Sequence, residues 1–223
     1  MLTFGVIAEG PTDQTVLENI IIGYFKDLES ETFVNPIQPP RPLGNQPAGW
    51  GHVFKSLERK DHENALQFND YLVIHIDTDV QEEPGFDVPK RREGKELSTL
   101  ERIIAVIEKL KSYFDPEFYE AQQNRILFAV AVDTIECWLL PLLYTDKKAA
   151  KTTGCLEAAN TALRKSNAKG LSSGDSKFID AYDKVSRGYL KRKTLLELHD
   201  KNPSLEYFIK QLGEVHDRLP PVP

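Results

Sequence analysis

Acidic side chains follow three apolar segments of this sequence, and their spacing suits the chemistry of a divalent cation. They are Glu9 after the first segment, Asp77 and Asp79 after a central one, and Asp133 with Glu136 after the last. Asp77 and Asp79 are two residues apart, so both side chains of an extended chain project to the same side. Neighbouring carboxylates repel each other unless a cation lies between them. Mg²⁺ takes such oxygen ligands and shares its shell with phosphate oxygens, so the pattern predicts a phosphate-handling metal site.

Each of these acids also has a purely structural interpretation, which the sequence leaves open. The Asp-x-Asp pair fits a solvated turn, and it also occurs in glycosyltransferases and in haloacid-dehalogenase phosphatases, which place it after their first strand. Glu9 would stabilise the start of a following helix through its charge. Asp133 and Glu136 have the spacing of a capping box. His75, inside the central apolar segment, is interpreted as a hydrogen-bonded core residue rather than a ligand.

The segments that carry the acids alternate between strand and helix patterns. Short apolar runs at 2–8, 32–37, 71–76 and 126–132 predict strands, and apolar residues at helical spacing follow in 16–28, 53–68, 98–114 and 135–140. The run 71–76 is almost continuously apolar, as expected where helices cover both faces of a sheet. We therefore expect a three-layer α/β domain with a mostly parallel sheet over residues 1–146. Ligands of such sheets bind beyond the carboxyl ends of the strands, where these acids stand.

Local signals predict several helix ends. Ser98 and Glu101 form a Ser-x-x-Glu capping box. Asn202, which a proline follows, predicts the start of the last helix. Thr12 or Asp13 is available as the cap of the first helix, just after Glu9.

The C-terminal part of the chain differs in charge from this core. Residues 147–218 have a helical pattern and carry 15 Lys and Arg against 9 Asp and Glu, whereas the whole chain has a net charge of -6. The overall acidity argues against non-specific coating of nucleic acid, but a basic region beside an acidic body can bind a polyanion locally. The same lysines would equally well solvate helix faces. Residues 219–223 are expected to form a frayed tail.

Length and composition exclude several classes of protein. At 223 residues we expect one domain with an appendage, since a domain takes about 150 residues. The two cysteines cannot build a disulfide framework and lie in no Cys-x-x-Cys zinc pattern, so a reduced chain is expected. No apolar run approaches the roughly 20 residues of a membrane span, and the N-terminus lacks the features of a signal peptide. We therefore expect a soluble cytoplasmic protein with no membrane partner.

Three motifs together resemble the Toprim fold, which topoisomerases, primases and OLD-type nucleases share. They are IAEGPTD at 7–13, IHIDTD at 74–79 and IECWLL at 135–140. Toprim proteins have a Glu-Gly after the first strand and an Asp-x-Asp after a later hydrophobic strand. Small stand-alone Toprim-like proteins of bacterial defence and mobile loci carry an Ile-Glu-x-Trp-Leu-Leu helix after the last core strand. The resemblance covers residues 2–144 and implies a Toprim-like sheet.

The resemblance implies a metal-dependent phosphodiester hydrolase, a nuclease acting on DNA or RNA in a bacterial defence or toxin-like system. It implies that Glu9, Asp77 and Asp79 are metal ligands or proton-transfer groups. Glu136 would be a further ligand, and Mg²⁺ or Mn²⁺ the cofactor. The sequence has no Gly-x-x-x-x-Gly-Lys-Ser/Thr motif, so an ATPase or another defence-system protein is a candidate partner. The chain is too short to encircle DNA as a topoisomerase does, and a homodimer is left open.

Basic residues are the candidate contacts for a nucleic-acid substrate. Lys177 is the first candidate for a catalytic lysine beside the scissile phosphate, and Lys169 is the second. Four further bases follow the Asp-x-Asp and would either clamp the nucleic-acid backbone or solvate a loop: Lys90, Arg91, Arg92 and Lys95.

Two other functions remain open. The chain would then be a catalytically silent Toprim-like module that binds nucleic acid or nucleotide and regulates a partner ATPase, or an enzyme that transfers or hydrolyses phosphoryl groups of a single nucleotide. The net charge of -6 favours a nucleotide, whereas the basic C-terminal region favours a polymer.

Overall fold

The protein is built around a sheet of four parallel strands. The computed structural model describes residues 1–28, 31–40, 48–172 and 178–220. The strands of the main sheet are β1 (Leu2–Ile7), β2 (Thr32–Gln38), β3 (Tyr71–Asp77) and β6 (Ile126–Ala131), while β4 (Arg91–Arg92) and β5 (Lys95–Glu96) form a small antiparallel pair. The main sheet has the order β2-β1-β3-β6, and each neighbouring pair is parallel. The expected α/β fold with a parallel sheet is confirmed.

Helices connect these strands and cover the sheet. Within the described ranges the α-helices are α1 (Pro11–Tyr24), α2 (Trp50–Glu58), α3 (Asp61–Phe68), α4 (Thr99–Lys111), α5 (Pro116–Gln122), α6 (Glu136–Leu143), α7 (Cys155–Lys165), α8 (Ile179–Ser186), α9 (Arg192–Leu198) and α10 (Pro203–Arg218). In the part of the chain that the structure describes, none of them has the length and apolar character needed to span a membrane.

The sheet separates two hydrophobic cores, because successive strand residues point to opposite faces. On one face, Phe4 and Ala129 pack with side chains of α1, α6, α8 and α10. On the other face, Ile74 and Phe128 pack with side chains of α2, α3 and α4. Helices therefore cover both faces, which gives the three layers that the apolar strand pattern predicts.

Helix α1 begins earlier than the sequence signals indicate. Gly10 is its N-cap residue, with an extended backbone at φ -150°, and Pro11 is the first helical residue. Proline is favoured there because the first N–H groups of a helix have no partner within the helix. The prediction that Thr12 or Asp13 caps this helix is therefore wrong. Both lie in its first turn, and both are buried.

The helix predicted over 53–68 is two helices, α2 and α3. Lys60, between them, has a left-handed backbone with φ 62°, which no α-helix accommodates. Asp61 opens α3 and accepts hydrogen bonds from Ser56 and Arg59 of the preceding segment, each at 2.7 Å. In contrast, the predicted starts of α4 at Ser98 and α10 at Asn202 are confirmed.

The region after residue 146 shares one hydrophobic core with the sheet. Tyr182 and Phe208 belong to the same buried cluster as Phe4 of β1. Asn19 of α1 donates from Nδ2 to Oγ of Ser186 at 2.7 Å. The division of the chain at residue 146 stays a prediction, and residues 221–223 of the expected tail lie outside the described residues.

Helix α1 and the 3₁₀ turn Arg187–Leu190 approach each other closely at Gly23. A Cβ atom at Gly23 would lie 1.9 Å from the carbonyl oxygen of Tyr189, well inside van der Waals contact. Only glycine allows this approach, so the backbone of the C-terminal region rests directly on α1.

The outer edge of β6 is covered by a side chain of α10. Oε1 of Gln211 accepts a hydrogen bond from the N–H of Phe128, and Nε2 of Gln211 donates to the carbonyl oxygen of Phe128, each at 2.9 Å. The amide thus occupies the place of a further strand's backbone. At the other end of the sheet, β2 pairs on one side with β1 and carries Pro36, which has no N–H to donate.

Cys137 in α6 and Cys155 in α7 form a disulfide, with their Cα atoms 4.9 Å apart. The expectation of a reduced chain is wrong on this point. The two residues are separated by 18 positions in the sequence, and only the packing of α7 against α6 brings them together. Their spacing alone carries no sign of that contact.

Candidate functional site

The carboxyl ends of β1 and β3 are joined by the side chain of Glu9. Its Oε1 accepts a hydrogen bond of 2.7 Å from the backbone N–H of Asp77. The carboxylate also accepts a hydrogen bond from the backbone N–H of Trp50, at the start of α2. The structure thus places the acids that follow the first and the central strand side by side, as the parallel sheet predicts.

The turn that carries Asp77 and Asp79 is fastened to the end of β6. The carbonyl oxygen of Asp133 accepts hydrogen bonds from the N–H groups of Thr78 at 2.9 Å and of Asp79 at 3.0 Å. In return, the N–H of Asp133 donates to Oγ1 of Thr78 at 2.9 Å. Asp133 has φ 69°, a conformation that aspartate tolerates better than most residues. Its backbone therefore fixes the turn.

Arg102 of α4 holds the same turn through its guanidinium group. Its Nη2 donates to Oγ1 of Thr78 at 2.7 Å and to the carbonyl oxygen of Thr78 at 3.2 Å, and its Nε donates to Oε1 of Gln81 at 3.0 Å. The guanidinium is half-buried. Arg102 therefore positions the Asp-x-Asp segment through neutral partners, without pairing with either aspartate.

Glu9 and Asp77 share a poorly hydrated site. Asp77 is 7% exposed, and burial together with the charge of Glu9 raises its pKa well above the ordinary value. Burial also raises the pKa of Glu9 to about 7, an effect that the hydrogen bond from Asp77 opposes and the nearby charge of Asp79 reinforces. Asp79 is more exposed, and its pKa is raised less, by burial and by the charge of Asp133. The site resists holding all of its negative charges at once.

Asp13 is a further member of this group that sequence reasoning assigned only to helix capping. It is 5% exposed, and burial raises its pKa well above the ordinary value, with further contributions from the charges of Glu9 and Glu136. The signal in the sequence is the Glu9-x-x-x-Asp13 spacing across the start of α1. Once Gly10 is recognised as the N-cap, Asp13 falls in the first helical turn, beside the end of β1.

Glu136 reaches the group from the start of α6 and is fully buried. Its charge acts on Glu9, Asp13 and Asp77. The capping-box interpretation of Asp133 and Glu136 is wrong. Ile135 is the N-cap residue of α6, where no side chain among the described residues caps the helix, and Oδ2 of Asp133 instead accepts a hydrogen bond from the N–H of Gly154 at 3.1 Å.

Two of the buried carboxylate oxygens stand out because they are left without hydrogen bonds. Among the described residues, neither Oδ1 of Asp77 nor Oε2 of Glu136 has a hydrogen-bond partner. Buried polar atoms almost always have such partners, and those that do not call for a missing group such as an ion or water. Both atoms belong to residues of the acidic group.

His75 is fully buried behind Asp77, but it is not the hydrogen-bonded core residue that was expected. Within the described ranges neither ring nitrogen makes a hydrogen bond, although Nε2 lies 3.4 Å from Oδ1 of Asp77. Burial lowers the pKa of His75 to about 3, so the ring is neutral. Its edge contacts the ring of Trp138. The predicted hydrogen bond is therefore wrong, since the nearby Oδ1 of Asp77 approaches the ring without forming one.

The predicted basic residues have different outcomes. Lys177 lies outside the described residues, and Nζ of Lys169 lies 4.7 Å from the centre of the Phe178 ring. Lys90 donates from Nζ to the carbonyl oxygen of Asp79 at 2.5 Å, so it reaches the Asp-x-Asp turn. The exposed Arg91 pairs with Glu96 at 2.9 Å in the small antiparallel pair. Arg92 and Lys95 are exposed in the same β4–β5 pair.

The acidic side chains lie near one another, but among the described residues no three of their ligand atoms surround a single point. Within the part of the chain that the structure describes, Asp133, Cys137 and Cys155 are the one set of three ligating side chains whose ligand atoms all lie within 4.8 Å of one another. The two sulfurs of that set are joined in the disulfide, so they are not thiolate ligands. A cation at the acidic group would therefore take carboxylates in smaller number and complete its shell with water, as Mg²⁺ commonly does.

Comparison of the chain with protein-family models, with curated proteins and with solved structures returns no match.

Proposed function

We propose that this protein is a metal-dependent phosphodiesterase that hydrolyses nucleic acid, with Mg²⁺ or Mn²⁺ as its cofactor, and that it is a Toprim-like protein, as its motifs suggest. One observation carries the proposal: carboxylates that follow β1 and β3 and one at the start of α6 lie near one another at one edge of a parallel sheet. Oδ1 of Asp77 and Oε2 of Glu136 remain unpartnered there within the described residues. These oxygens are the ligand atoms that a hard divalent cation takes.

The charge of the group supports a cation rather than a purely structural role. No lysine or arginine of the described residues forms a side-chain ion pair with Glu9, Asp13, Asp77 or Glu136. Carboxylates that share a buried site without such partners destabilise one another. A structural role would be served better by apolar residues of similar volume, so a bound cation is the simpler account of their presence.

The residues would have different roles in such a site. Glu9, Asp77 and Asp79, with Glu136, would hold the metal, which supplies a positive charge for phosphate oxygens and lowers the pKa of bound water. In the metal-free site, burial raises the pKa of Glu9 to about 7, so Glu9 can exchange a proton near neutral pH before a cation binds. Arg102 and the backbone of Asp133 keep the Asp-x-Asp turn in place.

Basic residues beside the acidic site support a polyanionic substrate. Lys90 lies at the Asp-x-Asp turn, and the exposed Arg91, Arg92 and Lys95 follow it. Together with the excess of bases in residues 147–218, they favour a polyanion over a small phosphate ester. Backbone phosphates of DNA or RNA meet that description.

A cleavage assay tests the proposal. Purified protein in Mn²⁺ is expected to nick plasmid or cut single-stranded nucleic acid, and Asp77→Asn/Asp79→Asn should abolish this activity. A matched control is Glu117→Gln/Glu120→Gln, which removes two exposed charges from α5, the helix before the opposite end of β6. Full activity in the aspartate double variant would show that another site or a contaminant does the cutting, and would end the proposal.

A second candidate is a silent binding module, and one observation favours it: no three carboxylates of the acidic group lie within 4.8 Å of one another in the described part of the chain. Such a loose site would bind a cation and a phosphate without turnover. Mn²⁺ binding that depends on Asp77, combined with no cleavage of DNA, RNA, tRNA or nucleoside triphosphates, would favour it. Turnover of the triphosphates alone would favour a nucleotide-directed enzyme.

A further inference from the structure

Among the described residues, the buried carboxylate of Glu136 has one hydrogen-bond donor, and this donor comes from the C-terminal region. The hydroxyl of Tyr182, in α8, donates a short hydrogen bond to Oε1 of Glu136. Both residues are fully buried. The two positions are 46 residues apart, so the contact exists only because α8 folds back onto the sheet domain.

Helix α8 is held in this place by polar contacts with α1. Nδ2 of Asn19 donates to Oγ of Ser186 at 2.7 Å and to Oδ1 of Asp183 at 3.2 Å. Oγ of Ser186 in turn donates to the carbonyl oxygen of Tyr182 at 2.7 Å. The backbone that carries the tyrosine is thereby tied to the same helix that carries Asp13.

The hydrogen bond distinguishes the two oxygens of Glu136. Oε1 is occupied by Tyr182, whereas Oε2 is buried and has no hydrogen-bond partner among the described residues. A carboxylate that is anchored through one oxygen cannot rotate freely, so the other oxygen keeps a fixed direction. Partners of this kind orient the ligands of metal sites and raise metal affinity.

We propose that Tyr182 is a positioning residue, which anchors Glu136 through Oε1 so that Oε2 is presented to a divalent cation, and that α8 thereby completes the acidic site. The inference rests on the proposed function, because it assigns Glu136 to cation binding. It places part of the site in the basic C-terminal region, through a tyrosine of α8.

Mn²⁺ binding to the full chain tests this role without any need for activity. Free Mn²⁺ is followed by its electron paramagnetic resonance signal while wild type and Tyr182→Phe are titrated. The phenylalanine keeps the ring and loses only the hydroxyl, so Mn²⁺ affinity is expected to fall by about 10-fold, as for other partners that orient a ligand. Unchanged affinity in Tyr182→Phe would overturn the inference.

Tyr189→Phe is the matched control. Tyr189 is equally buried, and its hydroxyl donates to the carbonyl oxygen of Trp138 in α6, two residues beyond Glu136. Both variants lose one buried hydroxyl from the C-terminal region, so both melting temperatures should fall, while only Tyr182→Phe should lose Mn²⁺ affinity. An equal loss of affinity in both variants would reduce the effect of Tyr182 to packing and overturn its positioning role.

A double-mutant cycle shows whether Tyr182 acts through Glu136. In a Glu136→Gln background, Tyr182→Phe should cause no further loss of Mn²⁺ affinity, because the ligand it orients has already been removed. An additive loss would overturn the inference. If wild type itself leaves Mn²⁺ free, the proposed function fails, whereas Mn²⁺ binding that is insensitive to Tyr182→Phe removes only the role of Tyr182.

Discussion

The backbone N–H of Asp77 donates a 2.7 Å hydrogen bond to Oε1 of Glu9, so a side chain of the acidic group ties together the ends of β1 and β3. The carboxylate of Glu9 is therefore both a structural contact and a candidate metal ligand. Substitutions at Glu9 will change stability and metal binding together.

The stability of the metal-free protein should fall as the pH rises through the range in which Glu9 ionises. Burial raises the pKa of Glu9 from 4.5 to about 7, so its contribution is complete below the lower value and is lost as the pH passes the upper one. Between about pH 5 and about pH 8 this amounts to about 2 kcal/mol of unfolding free energy. Urea unfolding in EDTA measures it.

Glu9→Gln is the comparison for this measurement, because glutamine still accepts the hydrogen bond from Asp77 but does not ionise. The unfolding free energy of wild type, relative to that of the variant, should fall by about 2 kcal/mol as the pH rises across that range. Mn²⁺ should remove most of the shift, since a cation stabilises the ionised group. A difference that stays constant with pH would contradict the prediction.

Replacing Arg102 by methionine should loosen the Asp-x-Asp turn. Methionine keeps much of the aliphatic stem but leaves Thr78 and Gln81 without the charged donor, at a cost of about 2 kcal/mol. Mn²⁺ affinity should fall as well, because the turn carries Asp77 and Asp79. Arg91→Met, which breaks an exposed ion pair with Glu96, should cost less than about 1 kcal/mol and leave Mn²⁺ affinity unchanged. Equal effects of the two substitutions would contradict the positioning of the turn by Arg102.

Gly23→Ala should be strongly destabilising. The added methyl group would lie 1.9 Å from the carbonyl oxygen of Tyr189, and backbone on both sides has to move, which we expect to cost more than about 2 kcal/mol. Gly213→Ala is the control, because its nearest neighbour is the hydroxyl of Tyr24 at 3.3 Å, at the end of a side chain, and alanine favours the helix. Thermal unfolding of both variants decides the matter; a Gly23→Ala protein as stable as Gly213→Ala would refute the close approach.

Gln211→Leu should destabilise the edge of the sheet. It leaves the N–H and the carbonyl of Phe128 without the partner they have in the fold, at about 1–3 kcal/mol for unsatisfied buried groups. Lys210→Ala on the same helix removes an exposed pair with Glu206 and should cost well under about 1 kcal/mol. Chemical denaturation compares them, and equal stability of the two variants would argue that water replaces the amide at no cost.

The sequence predicts the parts of the fold that local patterns determine. Apolar runs predict the bounds of the four strands to within one residue, and the capping box of Ser98 and Glu101 predicts the start of α4. The acids at the strand ends could be grouped because the carboxyl ends of parallel strands share an edge. Lys60 shows the limit, since nothing in its residue type announces the left-handed backbone that divides α2 from α3.

What the sequence missed depends on contacts between distant segments. Tyr182 belongs to the site through its hydrogen bond with Glu136, and the Cys137–Cys155 disulfide likewise joins segments that are not neighbours in the chain. Neither follows from spacing. Asp13 is different: its distance from Glu9 along the chain was visible, but the wrong choice of helix cap hid its position in the first turn.

The Gln211 amide also limits how two molecules of this protein can associate. One rim of the sheet is occupied by that amide, and the other rim ends in β2, whose Pro36 interrupts the row of backbone donors. A dimer that joins two sheets into one continuous sheet would have to displace the Gln211 amide or tolerate the missing N–H of Pro36. Self-association of this chain is therefore expected to use helix surfaces, and the strand backbones should stay protected from hydrogen exchange to the same degree at low and high protein concentration.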